Sequence, residues 1–336
     1  MKNTTGYFPK TRMRRMRRNA STRSLVKETH INLDKLILPL FVKYGSKLKA
    51  PIPSMPGHFQ LSIDHLEEEV RELRGLGIKN IILFGIPEHK DPLGLDSYSD
   101  HGIIQSAIPV IKKAAPDCLI ISDVCFCEYT DHGHCGVLQQ RDPSSDFTID
   151  NDKSIELLAK QAVSHAKAGV DVIAPSANMD GMVQAIRNAL DAAGYTNIPI
   201  LSYAVKYASA MYGPFRQAAE GAPKFGDRSS YQMDYGNVNE ALKECSLDIQ
   251  EGADMLMVKP AHTYLDIICR VKMTFPDLPL GAYHTSGEFA MIKAAAEKGW
   301  IDERKAVLEV LTAIHRAGAD FIFTYYAKEV AQWLNS

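Results

Sequence analysis

Long apolar runs are missing from this chain of 336 residues. None reaches the roughly 18 consecutive apolar residues that a membrane span requires, and mean hydropathy is −0.16. An apolar stretch after the basic start is also missing, which argues against a secretory signal. Acids are absent from residues 1–27, which hold nine Lys or Arg, so the remaining 309 residues carry 29 bases against 40 acids. The formal net charge of −2 therefore joins a basic segment to an acidic body. No low-complexity linker or break in composition divides residues 30–336, so a string of separate domains is not expected. Cysteine is sparse at six, and without a secretory signal this usage favours a reducing compartment and metal or catalytic thiols over disulfides.

What is present is a large globular core, with 46% hydrophobic and 23% charged residues. Eight short apolar runs recur: 36–42, 79–85, 118–124, 171–175, 198–204, 254–259, 278–283 and 319–325. Each is too apolar for a one-faced strand, as in a parallel sheet buried on both sides. Amphipathic stretches separate them, at 62–76, 103–115, 155–166, 180–193, 237–251, 263–275 and 302–316. Several stop at a glycine suited to a helix C-cap, namely Gly77, Gly169, Gly252 and Gly318. The junctions AGVD, EGAD and AGAD repeat before three of the runs. Eight strands alternating with helices predict a (β/α)₈ TIM barrel. A doubly wound sheet is the weaker alternative, because no G-x-G-x-x-G follows the first strand. The segment RMRRMRR at 12–18 has three readings: a nucleic-acid arm, a transit peptide, or an arm docking on an acidic surface of another subunit. The docking arm is favoured.

A barrel places its chemistry at the C-terminal ends of the strands. Asp123 ends the third run, Lys206 follows the fifth and Lys259 closes the sixth. His284 and Ser286 follow the seventh, and Tyr325 closes the eighth. Cys125, Cys127 and Cys135 fall within eleven residues of DVCFCEYTDHGHCG, with loop glycines and with His132 and His134 between them. Three thiolates select zinc and leave one position open, with the histidines outside the ligand set. Cys118, Cys245 and Cys269 lie in strand or helix patterns and are expected in the core. A desolvated lysine near a second cation has a lowered pKa and can form a Schiff base with a ketone, which suits Lys259 with Lys206. The stretch 211–232 is long for a loop and carries Arg216, Arg228 and Gln232, so it reads as a carboxylate-clamping lid. Ser286 and Tyr325 are hydroxyls placed to hold a second carboxylate.

The blocks DVCFCEYTDHGHCG, APSANMDG, SYAVKYASAMYGPFR, FGDRSSYQ, MLMVKPA, YHTSGEFAMI and FTYYA span residues 123–327, with PLFVKYG and SMPG before them. In this order they resemble the porphobilinogen synthase (5-aminolevulinate dehydratase) family, in its zinc-dependent form. The resemblance implies condensation of two 5-aminolevulinate molecules to porphobilinogen with loss of two waters, in heme and other tetrapyrrole biosynthesis. It implies a Schiff base of the first substrate at Lys259 and a second active-site lysine at Lys206. It implies that Arg216, Arg228 and Gln232 hold one carboxylate, Ser286 and Tyr325 the other, and that Asp123 faces the amine or assists proton transfer. Cys125, Cys127 and Cys135 would bind Zn2+, and Glu244 in LKECSLD would bind an allosteric Mg2+. Residues 1–30 would form an arm contacting a neighbouring subunit in a homo-octamer built from arm-exchanging dimers, and 31–336 the cytoplasmic catalytic barrel. No nucleic acid and no membrane would be partners. Two rivals are a zinc-independent Schiff-base (class I type) aldolase and a nucleic-acid-binding protein using the basic N-terminus. The cysteine triplet opposes the first, and the acidic body opposes the second.

Overall fold

The computed structural model describes residues 6–140 and 147–336. Eight parallel strands form the centre: β1 Leu36–Lys43, β2 Asn80–Ile86, β3 Leu119–Val124, β4 Val172–Pro175, β5 Leu201–Lys206, β6 Met255–Lys259, β7 Leu280–His284 and β8 Phe321–Thr324. Each pairs with its sequence neighbours, and β1 pairs with β8. The last seam, between β4 and β5, is joined by a single parallel bridge at Ile173 and Ile200. The expected TIM barrel is thus observed, with its helices outside.

The strands are buried nearly throughout because helices cover one face and barrel side chains the other. Their β-branched content suits that environment. The repeated Gly-x-Asp junctions have a definite job. Asp171, Asp254 and Asp320 each accept a backbone N–H at the start of an adjacent strand, from Ile120 (2.7 Å), Ile200 (2.8 Å) and Leu280 (2.8 Å). Each junction therefore caps one helix and fastens the foot of a neighbouring strand. Gly77, Gly169, Gly252 and Gly318 end their helices at positive φ, as anticipated.

Some expectations shift. β5 runs two residues further than predicted, so Lys206 is part of the strand rather than beyond it, held in register with Lys259 of β6. His284 likewise ends β7, while Tyr325 falls just after β8. The helices Ser286–Glu297 and Ala327–Asn335 were not anticipated, nor were two antiparallel pairs, Lys49–Pro51 with Phe59–Leu61 and Val137–Gln140 with Phe147–Asp150. The lid is partly helical, at Ala210–Tyr212 and Gly213–Ala218. Cys118 and Cys245 are buried as expected, but Cys269 is exposed, because its helix turns only Ile267, Ile268 and Val271 to the core.

The described part of the basic segment forms two short helical pieces, Met13–Arg17 and Ala20–Leu25, neither with a buried residue. Residues 1–5 of the expected arm lie outside the described residues. No helix among the described residues is long and apolar enough to cross a membrane.

Candidate active site

The C-terminal ends of β3, β5 and β6 meet around a small, tightly closed cavity. Asp123, Cys127, Lys206, Arg228 and Lys259 all line it, joined by Glu128 and Phe215. Lys206 and Lys259 sit opposite each other across the β5–β6 ladder and are only 4% and 5% exposed. Lys206 donates to the Ser176 carbonyl. Lys259 is surrounded by aromatic rings, its Nζ 4.0 Å from the centre of Tyr283, 5.1 Å from Phe215 and 5.2 Å from Tyr203. Burial, followed by the charge of Lys206, pulls Lys259 down to about 7. A neutral amine is therefore available near neutral pH.

Asp123 faces the same space, one carboxylate oxygen without a partner, and burial with the nearby Glu128 pushes it up to about 8. Glu128 is raised to about 8 as well, mainly by burial.

The three loop thiols converge. Their sulfurs lie within 4.8 Å of one another, all three side chains are buried, and Cys125 Sγ is 3.4 Å from Cys127 Sγ. All remain free thiols. A tetrahedral site with Zn–S bonds of about 2.3 Å would need sulfurs about 3.8 Å apart, so the donor set fits zinc with small adjustment. Hydrogen bonds from Cys125 and Cys127 hold the Cys135 thiol low, while burial raises that of Cys125. His132 and His134 stay outside this group. They fasten the cysteine loop instead: His134 bonds Tyr231 Oη and the Phe225 carbonyl (both 3.0 Å), and the His132 carbonyl accepts from Lys224 N–H (3.0 Å).

The stretch 211–232 thus packs against the cysteine loop. Arg228 is buried and donates to the carbonyls of Gly133 (3.0 Å) and Gly221 (2.7 Å), leaving Nε unpartnered. Arg216 Nε and both amide atoms of buried Gln232 are also unpartnered. Of these three, Arg228 lines the lysine cavity, while Gln232 borders the separate cleft that holds Glu244.

Ser286 and Tyr325 do not line this cavity. Ser286 Oγ accepts the Phe215 N–H (2.9 Å), and Tyr325 Oη lies 3.3 Å from Tyr283 Oη. Both are fully buried behind the aromatic cluster that surrounds Lys259. Glu244 is elsewhere, in an open acidic cleft with Asp180, Glu240 and Asp248. Burial raises its carboxyl, yet it is not among the described groups of three ligating side chains within 4.8 Å. Glu128 and Tyr283 went unnoticed in the sequence. Glu128 stands inside the cysteine motif, but its burial depends on packing across the barrel mouth.

Comparison with known proteins settles the family. The chain matches the Delta-aminolevulinic acid dehydratase family over residues 10–333. It belongs to that family. A dehydratase of Halalkalibacterium halodurans is 55% identical over 324 residues, 96% of this chain and 97% of that one. Its Synechocystis sp. counterpart is 55% identical over 327 residues, 97% of this chain and 99% of the other. The crystal structure of delta-aminolevulinic acid dehydratase (porphobilinogen synthase) from Toxoplasma gondii, in complex with the reaction product porphobilinogen, superimposes with a TM-score of 0.92 at 46% identity, covering 96% of this chain and 91% of that one. The chain is accordingly a lyase that condenses two molecules of 5-aminolevulinate to porphobilinogen in tetrapyrrole biosynthesis.

Proposed function

We propose that this delta-aminolevulinic acid dehydratase works through Schiff bases on two lysines beside a zinc held by three cysteines. The observation that carries the reading is the register pair Lys206 and Lys259, buried together next to the thiol triplet. The neutral amine of Lys259 attacks the ketone of the first 5-aminolevulinate, and loss of water gives an iminium. Lys206 activates the second substrate in the same way. Asp123 faces the lysines and serves the amine or a proton in transit. Arg216, Arg228 and Gln232 hold the second substrate's carboxylate, and the Ser286 and Tyr325 hydroxyls hold the first when substrate displaces their present partners. Fixing both carboxylates makes the encounter of two substrates effectively intramolecular. Closure of the lid keeps water from the imines.

Cys125, Cys127 and Cys135 would hold the zinc. When bound, it supplies a Lewis acid that orients the second substrate's amino or carbonyl group. The donor set supports this zinc-dependent form, since three buried thiols are a soft-metal set.

Residues 1–30 are proposed to be an arm that packs on a neighbouring subunit of a homo-octamer, with 31–336 as the catalytic barrel. Exposed Tyr7, Phe8, Met13 and Leu25 beside a basic run support a docking role. Glu244, in its acidic cleft, is the proposed ligand of a regulatory magnesium.

The test of the metal assignment is stripping with a chelator and reloading. Porphobilinogen formation should vanish with the metal and return with zinc but not magnesium, while Cys135→Ser should lose bound zinc. Full turnover in zinc-free protein would remove the assignment.

A further inference from the structure

The short helix Gly213–Ala218 ends in a left-handed turn. Gly221 N–H donates to the Arg216 carbonyl (3.1 Å) and Glu220 N–H to that of Gln217 (3.3 Å), the paired bonds of a Schellman cap. The residue at positive φ in such a cap is usually glycine, yet here it is Glu220, at φ +51°. A side chain in that backbone region is costly and persists where its surroundings hold it.

Three elements of the barrel mouth do hold it. Lys43, the last residue of β1, donates to the Glu220 carboxylate, and Gln60 Nε2 reaches the same oxygen at 3.2 Å. Gln60 is buried, and its Oε1 accepts from Lys43 Nζ (3.3 Å) while its Nε2 also donates to the Ala218 carbonyl (2.8 Å). Lys43, Gln60 and Glu220 thus each bond the other two. Lys90, beyond β2, donates to the Glu220 carbonyl (2.5 Å). On its other side the turn borders the site. A Cβ on Gly221 would lie 2.9 Å from the Cys127 carbonyl oxygen. The Gly221 carbonyl accepts from Arg228 (2.7 Å), which lines the lysine cavity. Displacing Glu220 therefore displaces an anchor of Arg228.

We propose that Glu220 is a positioning residue, whose ion pair with Lys43 latches the stretch 211–232 to the rim of β1 and keeps Arg228 set for substrate. This inference rests on the reading that Arg228 holds a substrate carboxylate. The two side chains are 31% and 41% exposed, so the pair is worth little in itself. Its loss shifts the population of the seated segment rather than unfolding it, and apparent affinity falls with that population.

The test uses the zinc-loaded full chain with Glu220→Gln, Lys43→Met, both changes together, and Glu220→Gly. KM and kcat with 5-aminolevulinate, hydrogen exchange of the 211–232 peptides and melting temperature are read for each. Either single change should raise KM about three- to fivefold and speed exchange in 211–232, with kcat altered less than about twofold. The double variant should be no worse than the weaker single, since one pair is lost only once. Glu220→Gly separates positioning from stability. Glycine relieves the backbone, so melting should stay within about 2 °C while KM rises as in Glu220→Gln. A multiplied effect in the double variant, or unchanged exchange in Glu220→Gln, would overturn the latch and leave the assignment of Arg228 standing. Faster exchange with unchanged KM would instead remove the carboxylate role of Arg228, and the positioning role with it.

Discussion

Lys206 and Lys259 face each other as register partners on adjacent parallel strands, the last residue of each. Parallel strands hold such neighbours about 4.8 Å apart, and here both side chains are buried. Burial, and then the neighbouring charge of Lys206, pull Lys259 down to about 7.

Removing the charge of Lys206 should therefore raise Lys259. In wild type, imine formation at Lys259 should increase with pH through about 7, as the amine loses its proton. Lys206→Met should move that midpoint to higher pH, while burial still holds it below the ordinary lysine range. The pH dependence of adduct formation measures it, and a midpoint that stays or falls would contradict the coupling.

Gln232 offers an amide with no partner on the lid wall. Gln232→Glu keeps its shape and adds a negative charge where a carboxylate is to bind. KM for 5-aminolevulinate should rise about tenfold or more, with little change in melting temperature. Steady-state kinetics on the purified variant decide this.

The lid and the cysteine loop meet at glycines. A Cβ on Gly133 would lie 2.2 Å from the Ala222 carbonyl oxygen, and Gly133 has φ +74°. Gly133→Ala should force this seam apart at a cost of about 1–3 kcal/mol. Faster proteolysis within 216–232 and lower turnover should follow, with the barrel's far-ultraviolet circular dichroism unchanged.

Much of this was legible in the chain. Strands buried on both faces leave unbroken apolar runs, so all eight were visible, and Lys259 stood out as a charge closing such a run. The cysteines were visible because three thiols in eleven residues are already neighbours. Lys206 was misplaced by two residues, since where β5 stops depends on its pairing with β6. The helix from Ser286 escaped because its start rests on a capping box, in which Glu288 accepts the Thr285 N–H (2.7 Å) and also that of distant His262 (2.7 Å). Glu128 escaped for a similar reason. An acid beside Cys127 reads as solvated, and only packing across the barrel mouth buries it.

The central claim is that Lys259 is the nucleophile toward the first substrate. Borohydride reduction of the zinc-loaded protein with 5-aminolevulinate, followed by peptide mass mapping, tests it most directly. The account predicts a reduced adduct on the peptide carrying Lys259, and loss of turnover by at least a thousandfold, about 4 kcal/mol, in Lys259→Ala. Normal turnover in Lys259→Ala, or adduct confined to other lysines, would contradict it.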